Sequence, residues 1–353
     1  MPCAYPMWRL DYENAKKVYE FPPAFDKRQH NKGIIMNRDE AQYFKTQHPL
    51  LGRYIGQIPC GKCIQCRLSY SRDWANRCMC ELKTNPDAVF LTLTYDDAHL
   101  HFGHYVDPDT GAVEVRPMLK SDDLTKFLKR LRIYCQREGI SDEIRFFACG
   151  EYGDESGRPH YHVILFGLPL DLSKRHWWRR PSEDLPALYT HPVFDKNWPH
   201  GVAVYGDVNW ESCAYVARYV VKKRKGLDAK AQREAQELFG LPPWQSEFVR
   251  MSRRPGLGRD FYERAKSSIY STDEIFVPIG GRSSAIRPVK YYDRLYDVEY
   301  PDRMKDIKLQ RTKAANAAMC AQLSQTDLNE EEYLLLKERS KLDQSRRLVR
   351  PDI

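Results

Sequence analysis

His160 and His162 flank Tyr161 in the run Gly157-Arg158-Pro159-His160-Tyr161-His162-Val163-Ile164-Leu165-Phe166-Gly167, which turns apolar and β-branched after its proline. That composition predicts a buried strand. Side chains on a strand alternate faces, so both imidazoles share one face and lie about 6 to 7 Å apart along it, close enough to grip one divalent ion. Upstream, Ile144 to Glu151 reads as a second strand, and the glycine-flanked polar residues Gly153 to Gly157 read as the loop that joins the two into a hairpin. A register pairing Glu151 with His160 or His162 puts the carboxylate on the histidine face, and a slip of one residue removes it. One carboxylate and two imidazoles, with open positions beside them, suit Mg²⁺ or Mn²⁺ holding a substrate phosphate. A bare His-x-His also occurs where two histidines merely pack in a strand.

The elements around the hairpin add to the set. Trp210 to Lys223 predicts a helix on which Tyr215, Tyr219 and Lys223 recur every fourth residue and so form one stripe, while Ala214, Ala217, Val220 and Val221 supply an apolar docking face. Phe90-Leu91-Thr92-Leu93-Thr94-Tyr95 predicts a strand with Phe90, Thr92 and Thr94 on one face and Leu91 and Leu93 on the other. Ser121 is the expected N-cap of a helix with Leu124, Phe127, Leu128 and Leu131 inward and a basic outer face. His99, His101 and His104 fall in a polar stretch that reads as a solvated loop.

The pieces Phe90 to Tyr95, Cys149-Gly150-Glu151-Tyr152-Gly153, Arg158-Pro159-His160-Tyr161-His162 and Tyr215-Val216-Ala217-Arg218-Tyr219-Val220-Val221-Lys222-Lys223, with the earlier Pro59-Cys60-Gly61-Lys62-Cys63-Ile64-Gln65-Cys66-Arg67, occur in that set together. The combination resembles the HUH endonucleases that initiate rolling-circle replication, and most closely the initiators of small single-stranded-DNA phages of the gokushovirus type. The resemblance spans roughly residues 55 to 300. It implies an α+β fold, a ferredoxin/RRM-like antiparallel sheet with helices on one face, extended by an N-terminal arm and C-terminal additions. It also implies Glu151, His160 and His162 as metal ligands and Tyr215 and Tyr219 as nucleophiles assisted by Lys222 and Lys223. The implied activity is a metal-dependent single-stranded-DNA endonuclease and strand transferase that nicks an origin through a 5′-phosphotyrosine, then initiates and terminates rolling-circle replication. Thr92, Thr94, Arg158, Arg218, Arg253 and Arg254 are the expected DNA contacts. Two other readings stay open: a non-catalytic RRM-like single-stranded nucleic-acid binder, and a phosphodiesterase that activates water.

Composition bounds these readings. Over 353 residues the chain is 42% hydrophobic, enough for a substantial core, and no apolar run approaches a membrane span. A net charge of +8 with 12% aromatic residues suits single-stranded nucleic acid, where basic groups meet phosphates and rings meet bases. The start of the chain lacks a signal-peptide core, so the expected location is the cytoplasm of the bacterial host. Ten cysteines in that compartment point to metal or free thiols before disulfides. Cys60, Cys63 and Cys66 could ligate Zn²⁺ with a fourth ligand from Cys3, Cys78, Cys80 or His48, of which Cys3 is favoured. Gly56 to Cys63 nearly spells a phosphate-binding P-loop, but Cys63 stands where Ser or Thr must hold Mg²⁺ and Pro59 removes an amide from the cradle. With no other P-loop in the sequence, a host helicase and a host polymerase are the expected partners at the origin. The expected divisions are an arm at 1–55, loosely structured, an endonuclease core at 56–225 with its cysteine-rich turn at 60–66, a basic and hairpin extension at 226–300, and a charged helical tail at 301–353. In the tail, Asn329 is the expected cap of a helix running through Glu338.

Overall fold

A computed structural model of the chain describes residues 3–11, 15, 17–18, 34–107, 109–153, 156–182, 185–222 and 227–347. These form two compact units, one from the described residues of 1–69 together with 314–347, the other from 70–313.

The larger unit is built on a seven-stranded sheet. Its spatial order is Phe248–Met251, Arg145–Tyr152, Pro159–Phe166, Ala88–Tyr95, Gly201–Asp207, Leu188–Thr190 and His176–Arg179, antiparallel throughout. The expected α+β class, antiparallel sheet and histidine hairpin are all present. The helices, however, cover both faces of the sheet rather than one. On one face Leu91, Leu93, Ala148, Tyr161, Val163 and Leu165 pack against Leu124, Phe127, Leu128 and Leu131 of the helix Ser121–Arg137. Alternate residues Phe147, Cys149, Ile164 and Phe166 face the opposite way. They pack with Ala75 and Cys78 of the helix Ile64–Leu82, with Ala214 and Ala217 of the helix Trp210–Lys222, and with Tyr262 of the helix Arg259–Thr272. A sheet buried on both faces explains why Val163 to Phe166 is apolar without interruption.

Several local expectations are corrected. Ser121 is the first helical residue and not the cap; the cap is Lys120, which makes no side-chain bond there. Asp123, one turn in, is instead buried: its Oδ2 accepts from the Tyr95 hydroxyl at 2.8 Å and contacts His101 Nε2 at 2.8 Å. His101 therefore belongs to a buried polar network and not to a solvated loop, while His99 and His104 are exposed. The stretch from Leu168 to Trp198 extends the sheet by two edge strands, and Trp198 is wholly buried in the core. Trp177 and Trp178, 50% and 54% exposed, stand on the outermost strand. The hairpin Ile275–Ile279 with Arg282–Ile286 turns at Gly280 and Gly281, both at positive φ, as the pair of glycines implies.

In the smaller unit the described residues of the segment expected as a loosely structured arm form regular elements instead. Met7–Leu10 is the middle strand between Ile34–Met36 and Ile55–Ile58, and Leu10, Met36, Ala41, Leu51 and Ile55 form a core. The helix Arg38–Gln47 is capped reciprocally by Asn37 and Glu40. The last described helix, Glu330–Arg347, belongs to the same unit and starts at the expected cap: Asn329 Oδ1 accepts from the Glu332 amide at 3.0 Å, and Glu332 Oε2 accepts from the Asn329 amide at 2.9 Å.

Candidate metal and tyrosine site

The hairpin register pairs Glu151 with His160 and Cys149 with His162, so the carboxylate and both imidazoles share one face. Their ligand atoms all lie within 4.8 Å of one another. Glu151 Oε1 sits 2.7 Å from His160 Nε2 and 2.8 Å from His162 Nε2. Glu151 is 2% exposed and His162 fully buried, and Glu151 Oε2 is buried with no hydrogen-bond partner among the described residues. A buried oxygen left in that state is costly unless something else engages it.

Each imidazole is also held from behind. His160 Nδ1 donates to the Arg158 carbonyl at 3.1 Å, an acceptor only, which puts a proton on Nδ1 and turns Nε2 toward the carboxylate. His162 Nδ1 meets Thr92 Oγ1 at 3.0 Å. Thr92 lies directly across from His162 in the neighbouring strand. Burial works to raise the Glu151 carboxyl, and the two imidazoles more than offset it, leaving it below the ordinary carboxylate value. An ionised carboxylate, two Nε2 atoms aimed at one point, second bonds that fix both rings and an orphaned oxygen make a donor set that fits a divalent ion such as Mg²⁺ or Mn²⁺.

The tyrosine helix Trp210–Lys222 starts at Asn209, whose Oδ1 accepts from the Ser212 amide at 2.7 Å while Ser212 Oγ accepts from the Asn209 amide at 3.0 Å. Cys213, Ala214, Val216 and Ala217 bury one side of it against the sheet. Tyr215, half-buried, is thereby brought edge-on to His162, ring centroids 5.0 Å apart at 88°. Phe90 completes the wall: it stacks on His162 at 5.5 Å and meets Tyr215 edge-on at 6.1 Å. The backbone at Tyr219 and Lys222 continues the same helix; their side chains, and Lys223 altogether, lie outside the described residues.

The expected DNA contacts divide. Thr92 is 3% exposed and its Oγ1 meets His162 Nδ1. Thr94, across from His160, is half-buried and donates to the Val202 carbonyl at 3.3 Å. Arg158 spans from Asp97 Oδ1 at 2.7 Å to the Tyr95 carbonyl at 3.0 Å. Arg218, Arg253 and Arg254 are exposed. Sequence reasoning missed two residues. Thr92 as the support of His162 and Phe90 as the plate beneath it both follow from strand adjacency, and the one available signal was their shared parity with Thr94. Apart from this site, Cys3, Cys60, Cys63 and Cys66 converge in the smaller unit, Cys3 being the fourth member as expected, whereas Cys78 and Cys80 are buried in the core of the larger one.

A family model described as replication-associated protein ORF2/G2P matches residues 88–224. That span includes every element of the site. Across most of its length the chain is 30% identical to the replication-associated protein ORF2 of Spiroplasma virus 4, over 318 residues that make up 89% of this chain and 91% of that one. It is equally 30% identical to the replication-associated protein VP4 of Bdellovibrio phage phiMH2K over 276 residues, 76% of this chain and 78% of the relative. Replication-associated protein ORF4 of Chlamydia phage 1 matches at 30% over 204 residues, 52% of this chain and 45% of its own. No solved structure matches the chain.

Proposed function

The chain belongs to the family of phage replication-associated proteins, and from that premise we propose that it nicks and rejoins single-stranded DNA to start and finish rolling-circle replication. The observation that carries this reading is the placement of the Tyr215 ring 5.0 Å from His162, itself one of three converging metal-ligand candidates. Glu151, His160 and His162 would hold the ion, which when bound supplies Lewis-acid polarisation of the scissile phosphate. Thr92 and the Arg158 carbonyl keep the two rings aimed. Exposed Arg218, Arg253 and Arg254 are suited to backbone phosphates and position the strand without reading its bases.

In the reaction the phenol oxygen of Tyr215 or Tyr219 gives up its proton and attacks the phosphorus in line. The new O–P bond forms as the bond from phosphorus to the 3′ oxygen breaks; that oxygen leaves with the electron pair and takes a proton. The products are a 5′-phosphotyrosine and a free 3′-hydroxyl able to prime a polymerase. A phenol with a pKa of about 10 needs positive charge nearby to react at neutral pH, the role assigned to Lys222 and Lys223 alongside the ion. Tyr215 and Tyr219 are one helical turn, about 6 Å, apart. One can therefore keep the 5′ end while the other cuts the regenerated origin, and attack by the freed 3′-hydroxyl on the first linkage closes a circle. A helicase and a polymerase of the host supply strand opening and synthesis.

The test is a single-stranded oligonucleotide from the origin of the genome that encodes the chain, incubated with protein and Mn²⁺, then boiled in detergent. Wild-type protein yields a covalent adduct, each single Tyr→Phe variant retains some cleavage or joining, and the double variant Tyr215→Phe, Tyr219→Phe yields no adduct. His160→Ala abolishes cleavage and keeps most DNA affinity, which rests on Lys and Arg. An adduct formed by the double tyrosine variant refutes the mechanism.

A further inference from the structure

Cys3, Cys60, Cys63 and Cys66 come from two distant stretches of sequence, yet their sulfurs all lie within 4.8 Å of one another. Cys3 Sγ is 3.8 Å from Cys63 Sγ, and Cys60 Sγ is 4.0 Å from Cys66 Sγ. A disulfide needs about 2.05 Å, so these are not bonded pairs. Four thiolates around Zn²⁺ at about 2.3 Å stand about 3.8 Å apart when tetrahedral, close to the 3.8 and 4.0 Å of these two pairs.

The backbone around the sulfurs is arranged for thiolates. The Cys60 amide donates to Cys3 Sγ at 3.3 Å, the Lys62 and Cys63 amides donate to Cys60 Sγ at 3.4 and 3.3 Å, and the Cys66 amide donates to Cys63 Sγ at 3.5 Å. Gly61, at φ 71°, makes the turn that aims these amides inward. Four anionic sulfurs this close, in a partly buried site, repel one another unless a cation sits among them. With four protein ligands such a site has no position left for substrate, so its role is structural and distinct from that of the open trio at Glu151.

The cysteine turn also begins a helix, Ile64–Leu82. Helix starts carry backbone amides with no partner inside the helix. Here the Ile64 amide donates to Glu338 Oε1 at 2.8 Å, the Gln65 amide donates to Glu338 Oε2 at 3.4 Å and the Cys66 amide goes to sulfur. Glu338 is buried and belongs to the helix Glu330–Arg347. We propose that Cys3, Cys60, Cys63 and Cys66 hold one structural Zn²⁺, and that this ion and Glu338 together clamp the first and last described segments of the chain onto the start of that helix.

The experiment uses untagged full-length protein purified without chelator, and reads metal rather than DNA cleavage. Elemental analysis gives one zinc per chain, retained in the His160→Ala variant and lost in Cys63→Ser. A mercurial reagent that caps the thiols of the wild-type protein releases that zinc into a colorimetric indicator. Cobalt(II) exchanged into the wild-type protein shows thiolate charge-transfer and tetrahedral d–d absorption, so the assignment stands or falls even where Cys63→Ser does not fold. Glu338→Gln keeps the zinc and lowers the melting temperature. Protein free of zinc, stoichiometric iron in its place, or zinc that departs with His160 and stays with Cys63→Ser would overturn the proposal.

Discussion

Replacing Thr92 with valine keeps the volume of a fully packed residue and deletes a single oxygen, the one that meets His162 Nδ1 at 3.0 Å. Loss of a buried hydrogen bond of this kind costs about 1–3 kcal/mol. Where the bonded group is a metal ligand, the loss appears as weaker metal affinity of about 10- to 100-fold, which is about 1.4–2.7 kcal/mol and so matches the cost of the bond. Manganese titration of nicking on a single-stranded oligonucleotide should therefore show the midpoint for Thr92→Val moved upward by about 10- to 100-fold, with the rate at saturating manganese little changed. Calorimetric titration with Mn²⁺ in the absence of DNA should give the same ratio, and Thr92→Ser should restore the wild-type midpoint. An unmoved midpoint, or a loss that no concentration of manganese repairs, would refute the claim that Thr92 acts through His162.

Two further outcomes follow from the same geometry. A Cβ on Gly201, whose φ is 150°, would fall 2.3 Å from the Thr94 carbonyl oxygen and 2.5 Å from the Asp96 amide, both backbone atoms unable to swing aside. Gly201→Ala should cost about 3 kcal/mol and lower Tm by roughly 5–10 °C, and a variant melting with the wild type would show that the strand has room. For Asp123, burial pushes the carboxyl up, but bonds from Tyr95 and His101 outweigh it and hold the group below its ordinary 3.8. A lowered folded value stabilises the fold fully above pH 3.8, and that contribution fades as pH falls below it, so the acid limb of a stability–pH curve should be shallower in Asp123→Asn. Identical acid limbs would count against the network.

The site was more legible than the architecture. Alternation alone assigned His160, Tyr161 and His162 to their faces, while the register, which sequence left open between His160 and His162, pairs Glu151 with His160. Spacing of four placed Tyr215 and Tyr219 on one helix. What sequence could not supply was strand pairing in detail: nothing local says that Thr92 lies directly across from His162. The same blindness hid the pairing of Met7–Leu10 with Ile34–Met36 and Ile55–Ile58, strands of three or four residues that carry too few positions to show a period. It also hid Glu338, an acidic residue in a charged helix until the amides of Ile64 and Gln65 are seen against it.

The order in which the chain is made adds a consequence to the clamp at Glu338. The smaller unit is split by residues 70–313, so Ile64 must wait for a partner 274 positions further along the messenger. At bacterial translation speeds that interval is roughly 15–55 s. The sheet with Glu151, His160 and His162 leaves the ribosome within it, whereas the helix start at Ile64 keeps unclaimed amides until residue 338 has been made. All four cysteines of the cluster, by contrast, have emerged once residue 66 clears the exit tunnel. Capture of the proposed zinc at these thiols would then come first, giving the nascent chain one fixed point long before the Glu338 carboxylate that completes the clamp has been translated.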